Sequence, residues 1–530
     1  MRQVFSLQGL CTLLFGIAVL LFFGLVYPHH LHYQEQFQLF LFEGGYVWDI
    51  VRQPGGVADL LGRFCTQFFL YAWAGATIIA LLLMAVQLLT LRLVRWGRLY
   101  ALSFVPAGLL WLFLLDENAL LGGVWAVLLI LLAAWVIQKA GNGKVRWILI
   151  AVLLPLLYWM VCKNGFSHYR LPGETPTPLW LAVVSLLLLP QVIRLCRRWA
   201  EKAVTPLWTL LTFLVVAAGF GGGLYQRYNL MAEQVMGYDF MARHQTWNRI
   251  LTAVKADRPN HQIGVTAQNL ALAMRGQLSE HAFEYNQNGL AGLLPPFERD
   301  PMSPLVTGEA FYQLGMINTA QRFAFEAQEA IPDFQKSARC YKRLAQTNLI
   351  VGNYAVARKY LTALQKTLFY RDWATETLPL LGNETAINAH PEYGRLRLLA
   401  YHEDFYFSDR ETPQMLGRLL MSNPQNRLAF EYLEAAYLLT GNLDGFVSCV
   451  DMGQSLGYNT VPKHFQEALI LWWSHSHGPN EQMPMQLNPA IIQGMNRFYG
   501  VSNTPGMTNE VLARQFGNTY WYYFFTTLQR

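Results

Sequence analysis

Apolar and polar positions divide this chain into two unlike halves. From Leu7 to Leu224 long apolar runs dominate and charges are sparse, whereas after Tyr225 charged residues, Asn and Gln occur throughout. A bilayer core about 30 Å thick takes roughly 20 apolar residues in helical form. Seven runs suit that purpose, at residues 8–27, 66–91, 99–115, 119–137, 146–163, 178–195 and 206–224. The first reads as a retained span and not as a signal peptide, because its apolar core is long and no A-x-A site follows. Pro106, Pro155 and Pro190 fall inside the third, fifth and sixth runs, where a bundle tolerates the lost hydrogen bond. Trp96, Trp147, Trp180, Trp199 and Trp208 stand near run ends, as interfacial aromatics do. No run carries a charge near its middle, which counts against an ion pump or proton-coupled transporter.

The second half has helical periodicity and repeats. The segment FYQLGMINTAQRFAFEAQEAIPD places Gly315, Ala320, Ala327 and Pro332 at the spacing of a tetratricopeptide repeat, with Ala324 where that repeat carries an aromatic. LAQTNLIVGNYAVARKYLTAL repeats the register with Gly352, Ala357 and Leu361, and weaker copies surround Gly441 and Gly276. Each glycine permits a tight turn between two helices. In the first two copies, the alanine five residues on lets those helices approach closely. One such unit cannot bury its own apolar face, so an array is expected. The chain closes with six aromatics, Tyr520 to Phe525, read as a plug on the last repeat or as a membrane-docking tail. The expected class is all-α: a seven-span bundle over residues 1–225, then a soluble tetratricopeptide-like domain over 226–530.

Charge sets the expected orientation. The net charge of +6 and pI near 8.9 would suit a nucleic-acid partner, but much of the excess lies in three short loops of the membrane half. These are Arg92, Arg95 and Arg98, then Lys139, Lys144 and Arg146, then Arg194, Arg197, Arg198 and Lys202. Positive loops stay cytoplasmic. The N-terminus is therefore expected inside, and seven spans put the second half outside, in the periplasm of a bacterial inner membrane. No nucleic-acid partner is expected. The six cysteines include no C-x-x-C and no Cys/His zinc spacing, so neither a disulfide framework nor a zinc site follows.

Candidate chemistry concentrates in the first outside connection, residues 28–65, whose start reads YPHHLHYQEQFQLFLFEGGYVWDIVRQPGG from Tyr27. Its pattern predicts two interfacial amphipathic helices, Tyr33–Phe42 and Tyr46–Gln53, with Gly44 and Gly45 ending the first. Phosphate-loop, nucleophile-elbow, H-E-x-x-H and dinucleotide motifs are absent. His29, His30 and His32 form H-H-x-H, which reads more readily as interfacial histidines than as metal ligands with Glu35.

A first span, an outside loop of two juxtamembrane helices, seven spans and an outside soluble domain resemble the layout of the GT-C glycosyltransferases. The chain as a whole also resembles an uncharacterised family of bacterial multi-span proteins with a C-terminal helical-repeat domain. The GT-C resemblance implies transfer of a sugar from a polyprenyl-phosphate carrier, with a carboxylate after the first span as base. That position is Glu35, followed by Glu43 or Asp49, with Asp116 and Glu117 of LLDENAL as further acidic candidates. The transfer also needs cations for the departing phosphate, for which Lys163, His168, Arg170, Arg52 and Arg63 are candidates. The first loop lacks the D-x-D pair found in such enzymes, and no cofactor is indicated. Each candidate has a plain alternative. Glu35 and Asp49 suit the wet face of a helix, Asp116 and Glu117 a polar hairpin, and Lys163 and Arg170 lipid headgroups. The competing reading of the whole is a non-catalytic anchor whose repeat groove binds periplasmic proteins or peptides.

Overall fold

The computed structural model describes residues 7–36, 38–94, 97–139, 143–161, 206–296, 303–331, 335–401, 411–477 and 486–528. The described residues are helical, with no strand among them. They form two compact units. One comprises Met1–Met236 with Ile331–Lys342 and Tyr360–Thr377, and the other holds the remainder.

In the first unit, α1 (Leu7–Leu21) runs on through a π-turn to Val26. α2 (Pro28–Glu35), α3 (Gly44–Val51) and α4 (Gly56–Thr66) follow in the first connection. Next come α5 (Ala72–Val94), α6 (Phe104–Phe113), α7 (Leu121–Lys139), α8 (Lys144–Val161) and α9 (Pro206–Arg227). Five helices among the described residues are long and apolar enough to cross a membrane, namely Leu7–Val26, Ala72–Leu93, Leu121–Lys139, Lys144–Val161 and Leu207–Arg227. They correspond to five of the seven expected runs. The second begins later than its apolar run, because residues 56–70 form amphipathic α4 and a 3-10 turn instead. The third run gives only the shorter apolar stretch Tyr100–Phe113. Pro106 has no N–H and sits in the first turn of α6, where none is needed, and the chain before it is a 3-10 turn. The sixth run, 178–195, lies outside the described residues.

Small residues set the close contacts of this unit. A Cβ on Gly62 would stand 2.5 Å from the backbone N of Gly122, so α4 and α7 touch backbone to backbone. A polar chain ties α1, α5 and the turn before α6. Thr12 donates to Gln87 Oε1 at 3.0 Å, and Gln87 Nε2 donates to Ser103 Oγ at 2.9 Å. All three residues are buried and satisfied, which is how polar groups hold helices together within an apolar bundle.

The first connection departs from its predicted helices. The first helix starts at Pro28 and stops at Glu35, while Gln38–Glu43 is not helical. Phe42 N–H donates to the Lys366 carbonyl at 2.7 Å, a contact remote in sequence that takes this stretch away from a helix. Gly44 and Gly45 open α3 instead of closing the preceding helix. Trp48 on α3 is 65% exposed.

The second unit is built on helix pairs, among them α10 (Ser303–Leu314) with α11 (Ile317–Ala330), and α12 (Arg427–Thr440) with α13 (Leu443–Val450). The four glycines expected at inter-helix turns, Gly276, Gly315, Gly352 and Gly441, all have positive φ. Each closes its helix with the same pair of bonds. At Gly315 they are Gly315 N–H to the Tyr312 carbonyl (3.2 Å) and Met316 N–H to the Phe311 carbonyl (2.9 Å), the Schellman arrangement that favours glycine. Ala320 and Ala357, five residues past their glycines, are buried. The terminal aromatics pack inward. Tyr520, Trp521 and Phe524 are buried, and the Tyr520 ring lies 4.9 Å from that of Phe283.

Candidate functional site

Two ends of α2 hold the polar chemistry of the first unit. At its N-terminus Pro28 occupies the first turn, and the following N–H groups need an acceptor. Glu233 supplies it. Its carboxylate accepts from His29 N–H at 2.7 Å and from His30 N–H at 3.0 Å. Burial raises the Glu233 carboxyl to about 7, against the opposing pull of those two backbone donors. His30 is fully buried, and burial pushes it down to about 4, so its ring is neutral and Nε2 donates to the Leu114 carbonyl at 2.9 Å. His32 Nδ1 lies 3.1 Å from the Phe69 carbonyl. These two rings therefore spend nitrogens on the backbone, and no group of three possible metal ligands occurs among the described residues.

At the C-terminal end, Gln34, Glu35, Gln36 and Gln38 are all buried. Such a run of buried polar side chains is unusual for a connecting segment, because each must be paired or costs stability. Gln34 Nε2 lies 3.3 Å from the carbonyls of both Asp116 and Ala119. Glu35 Oε1 accepts from the Tyr370 hydroxyl at 3.1 Å. Gln36 Oε1 accepts from Arg339 Nη1 at 3.2 Å. Lys366 pairs with Glu43 at 2.8 Å, and the Phe369 ring meets Phe68 and Tyr71 at 5.5 and 5.4 Å. Cys340, beside Arg339, is buried, and burial pushes its thiol up to about 11, away from the thiolate form.

The other candidates are placed as follows. Asp49 and Arg52 pair with each other at 2.9 Å, both side chains about 60% exposed. Arg63 forms a buried two-pronged pair with Asp59 at 2.8 and 3.1 Å. Burial opposes the Arg63 charge, and Asp59 more than restores it, so the guanidinium stays protonated. The Asp116 carboxylate is exposed and accepts from Asn118 N–H at 2.8 Å, a local turn. Glu117 is half-buried and raised, first by burial and then by Asp116. Lys163, His168 and Arg170 lie outside the described residues. The fold thus brings the 114–120 loop against α2, one residue from Glu35, and leaves Asp49 and Arg52 on a surface pair. Glu233, Arg339 and Tyr370 had no local signal. Glu233 and Arg339 are ordinary helical residues and Tyr370 lies in the turn before the helix that starts at Arg371, all far along the chain, and only folding places them against α2.

The chain belongs to a family of unknown function, DUF6057, whose model matches residues 2–167 and 161–527. No curated protein and no solved structure matches it.

Proposed function

We propose that this chain is a GT-C-like membrane transferase, moving a sugar from a polyprenyl-phosphate carrier to a hydroxyl acceptor at an extracytoplasmic site centred on Glu35. The observation that carries this reading is Glu35 itself, the carboxylate after the first span. It is buried in a run of polar side chains and fixed by Tyr370, not spread on a wet helix face. In the reaction the acceptor oxygen bonds to the anomeric carbon, the bond from that carbon to the phosphate oxygen breaks, and Glu35 takes the acceptor proton. The departing phosphate leaves as an anion and needs cations. Arg339 stands one residue from Glu35 through Gln36, and Lys163, His168 and Arg170 remain candidates. Arg63 is committed to Asp59 and Arg52 to Asp49. The proposal keeps seven spans, a cytoplasmic N-terminus and a bacterial inner-membrane location, on the strength of the three basic loops.

The test is turnover of polyprenyl-phosphate-linked radiolabelled hexoses by the full chain and by Glu35→Gln. Loss of turnover in the variant supports the role of Glu35, and equal turnover removes it. A second reading rests on the second unit, which we read as a degenerate tetratricopeptide-like array. A cleft of about 840 Å³ there is lined by Asn459, Thr460, Gln486, Asn488 and Asn518. Its mixed lining, in which Glu280, Lys463, Ile491 and Trp521 join the amides of Asn459, Gln486 and Asn488, suits an extended peptide, the ligand a membrane-anchored scaffold would hold. Peptide capture by a chain with no hexose turnover would favour this alternative.

A further inference from the structure

Gln36 and Gln38 are 1% and 4% exposed. Arg339 satisfies Gln36 Oε1, but Gln36 Nε2 and both amide atoms of Gln38 are closed to solvent and make no hydrogen bond among the described residues. A buried amide left unpaired costs more than an apolar side chain of the same shape. Three such atoms within three positions, beside the buried Glu35, mark a place where stability is given up for another use. The missing partner can be described chemically. Gln38 presents an acceptor oxygen and a donor NH₂, and Gln36 adds a second NH₂. A phosphate or carboxylate only accepts and would leave Gln38 Oε1 unpaired, and an apolar ligand would leave all three atoms unpaired. A hydroxyl both donates and accepts.

We infer that Gln36 and Gln38 form a subsite for the hydroxyl groups of a neutral sugar, on the acceptor side of Glu35; this rests on the reading of Glu35 as base. The subsite is closed in the state described. Glu35 and the stretch 38–43 are tied to 366–370 by the Phe42–Lys366 backbone bond, the Lys366–Glu43 pair and the Tyr370–Glu35 bond, so a sugar enters by parting them. The half-exposed Lys366–Glu43 pair is the tie most open to water.

The test is the melting of the full chain in detergent, with and without methyl glycosides of glucose, mannose, galactose and N-acetylglucosamine at high concentration. The wild type is expected to melt higher with at least one glycoside. Gln38→Met should lose that shift, and without sugar it should melt at or above the wild type, because an unpaired amide has been replaced by a similar apolar shape. The assignment is overturned if no glycoside moves the wild type, or if Gln38→Met keeps the shift. It is equally overturned if Gln38→Met fails to fold or melts several degrees lower, since the amide then serves the fold. Hexose turnover by Glu35→Gln is read separately, so failure of the catalytic reading is distinguishable from failure of the subsite.

Discussion

The Glu233 carboxylate that caps α2 makes the first connection sensitive to pH, with a sign that can be worked out. Its ordinary value is 4.5 and burial lifts it to about 7 in the fold, a difference of about 2.5 pH units. At 1.36 kcal/mol per unit this amounts to ~3 kcal/mol for a group that is almost wholly buried. The folded chain binds this proton more tightly than the open one. The contribution is therefore fully present below pH 4.5 and is lost as pH rises to about 7, above which the fold holds a buried charge. Glu233→Gln removes the titration and keeps one acceptor oxygen for the two N–H groups. The assay is hydrogen exchange at the His29 and His30 amides across that pH range, corrected for the intrinsic base-catalysed rate. Wild-type protection should fall roughly 300-fold from acid to mildly alkaline pH, the factor that 2.5 pH units imply, while the variant stays flat. Wild-type protection that is flat or rises with pH would refute the reasoning, as would an equal slope in the variant. Tyr27, Tyr228 and Glu117 lie close enough to interact with Glu233 or its surroundings, so a residual slope would point to Glu117.

Other outcomes follow from single positions. Gly315→Ala should destabilise the second unit by about 2–3 kcal/mol, since its φ of +91° disfavours a side chain and the new Cβ would meet the Leu399 carbonyl oxygen at 2.6 Å. Chemical denaturation followed by far-UV circular dichroism reads this, and a change within error would contradict the packing. Glu434 is buried with no hydrogen-bond partner on either oxygen among the described residues, and burial holds its carboxyl well above the usual range. Glu434→Leu should therefore stabilise the chain by roughly 1–3 kcal/mol, more at high pH than at low, because the wild type must either bury a charge or open as pH rises. A variant that melts lower at every pH would show that the carboxyl has a structural partner. Tyr370→Phe should slow hexose turnover at unchanged donor KM, by losing the bond that fixes Glu35, while leaving melting within a few degrees. Turnover equal to the wild type would remove Tyr370 from the site.

Much of the helical architecture was legible because its causes are local. An apolar run of sufficient length has no alternative to a helix in lipid, and runs 8–27, 119–137, 146–163 and 206–224 each became one helix with ends moved by a few residues. Gly276, Gly315, Gly352 and Gly441 were legible for a similar reason. Left-handed backbone at a helix end favours glycine, and a neighbouring helix needs a small residue, so Ala320 and Ala357 betray the pairing. Where a run mixed apolar and polar residues, periodicity misled. Tyr33–Phe42 has a passable helical pattern, yet its second half was drawn out by a backbone bond to Lys366. Residues 66–71 are apolar enough to extend a span, yet the chain there ends α4 at Thr66 and turns through a 3-10 turn, with Gly62 of α4 held against Gly122.

The candidate site divides in the same way. That a carboxylate, Glu35, stands just beyond the first apolar run was legible, because its position relative to that run is local information. Whether it faced water or an interior could not, since its surroundings come from residues far along the chain. Tyr370 and Arg339 reach the Glu35–Gln36 pair from more than 300 positions away, and Glu233 caps α2 from about 200. Hydrogen bonds of that range carry no periodic signature, because a Tyr or Arg reads the same whether its partner is water or a buried side chain such as Glu35 or Gln36. Local patterning thus decided the helices, their apolar lengths and their glycine turns. Tertiary packing alone decided which polar groups of the first connection are buried, which are paired, and which amides of Gln36 and Gln38 are left wanting a partner.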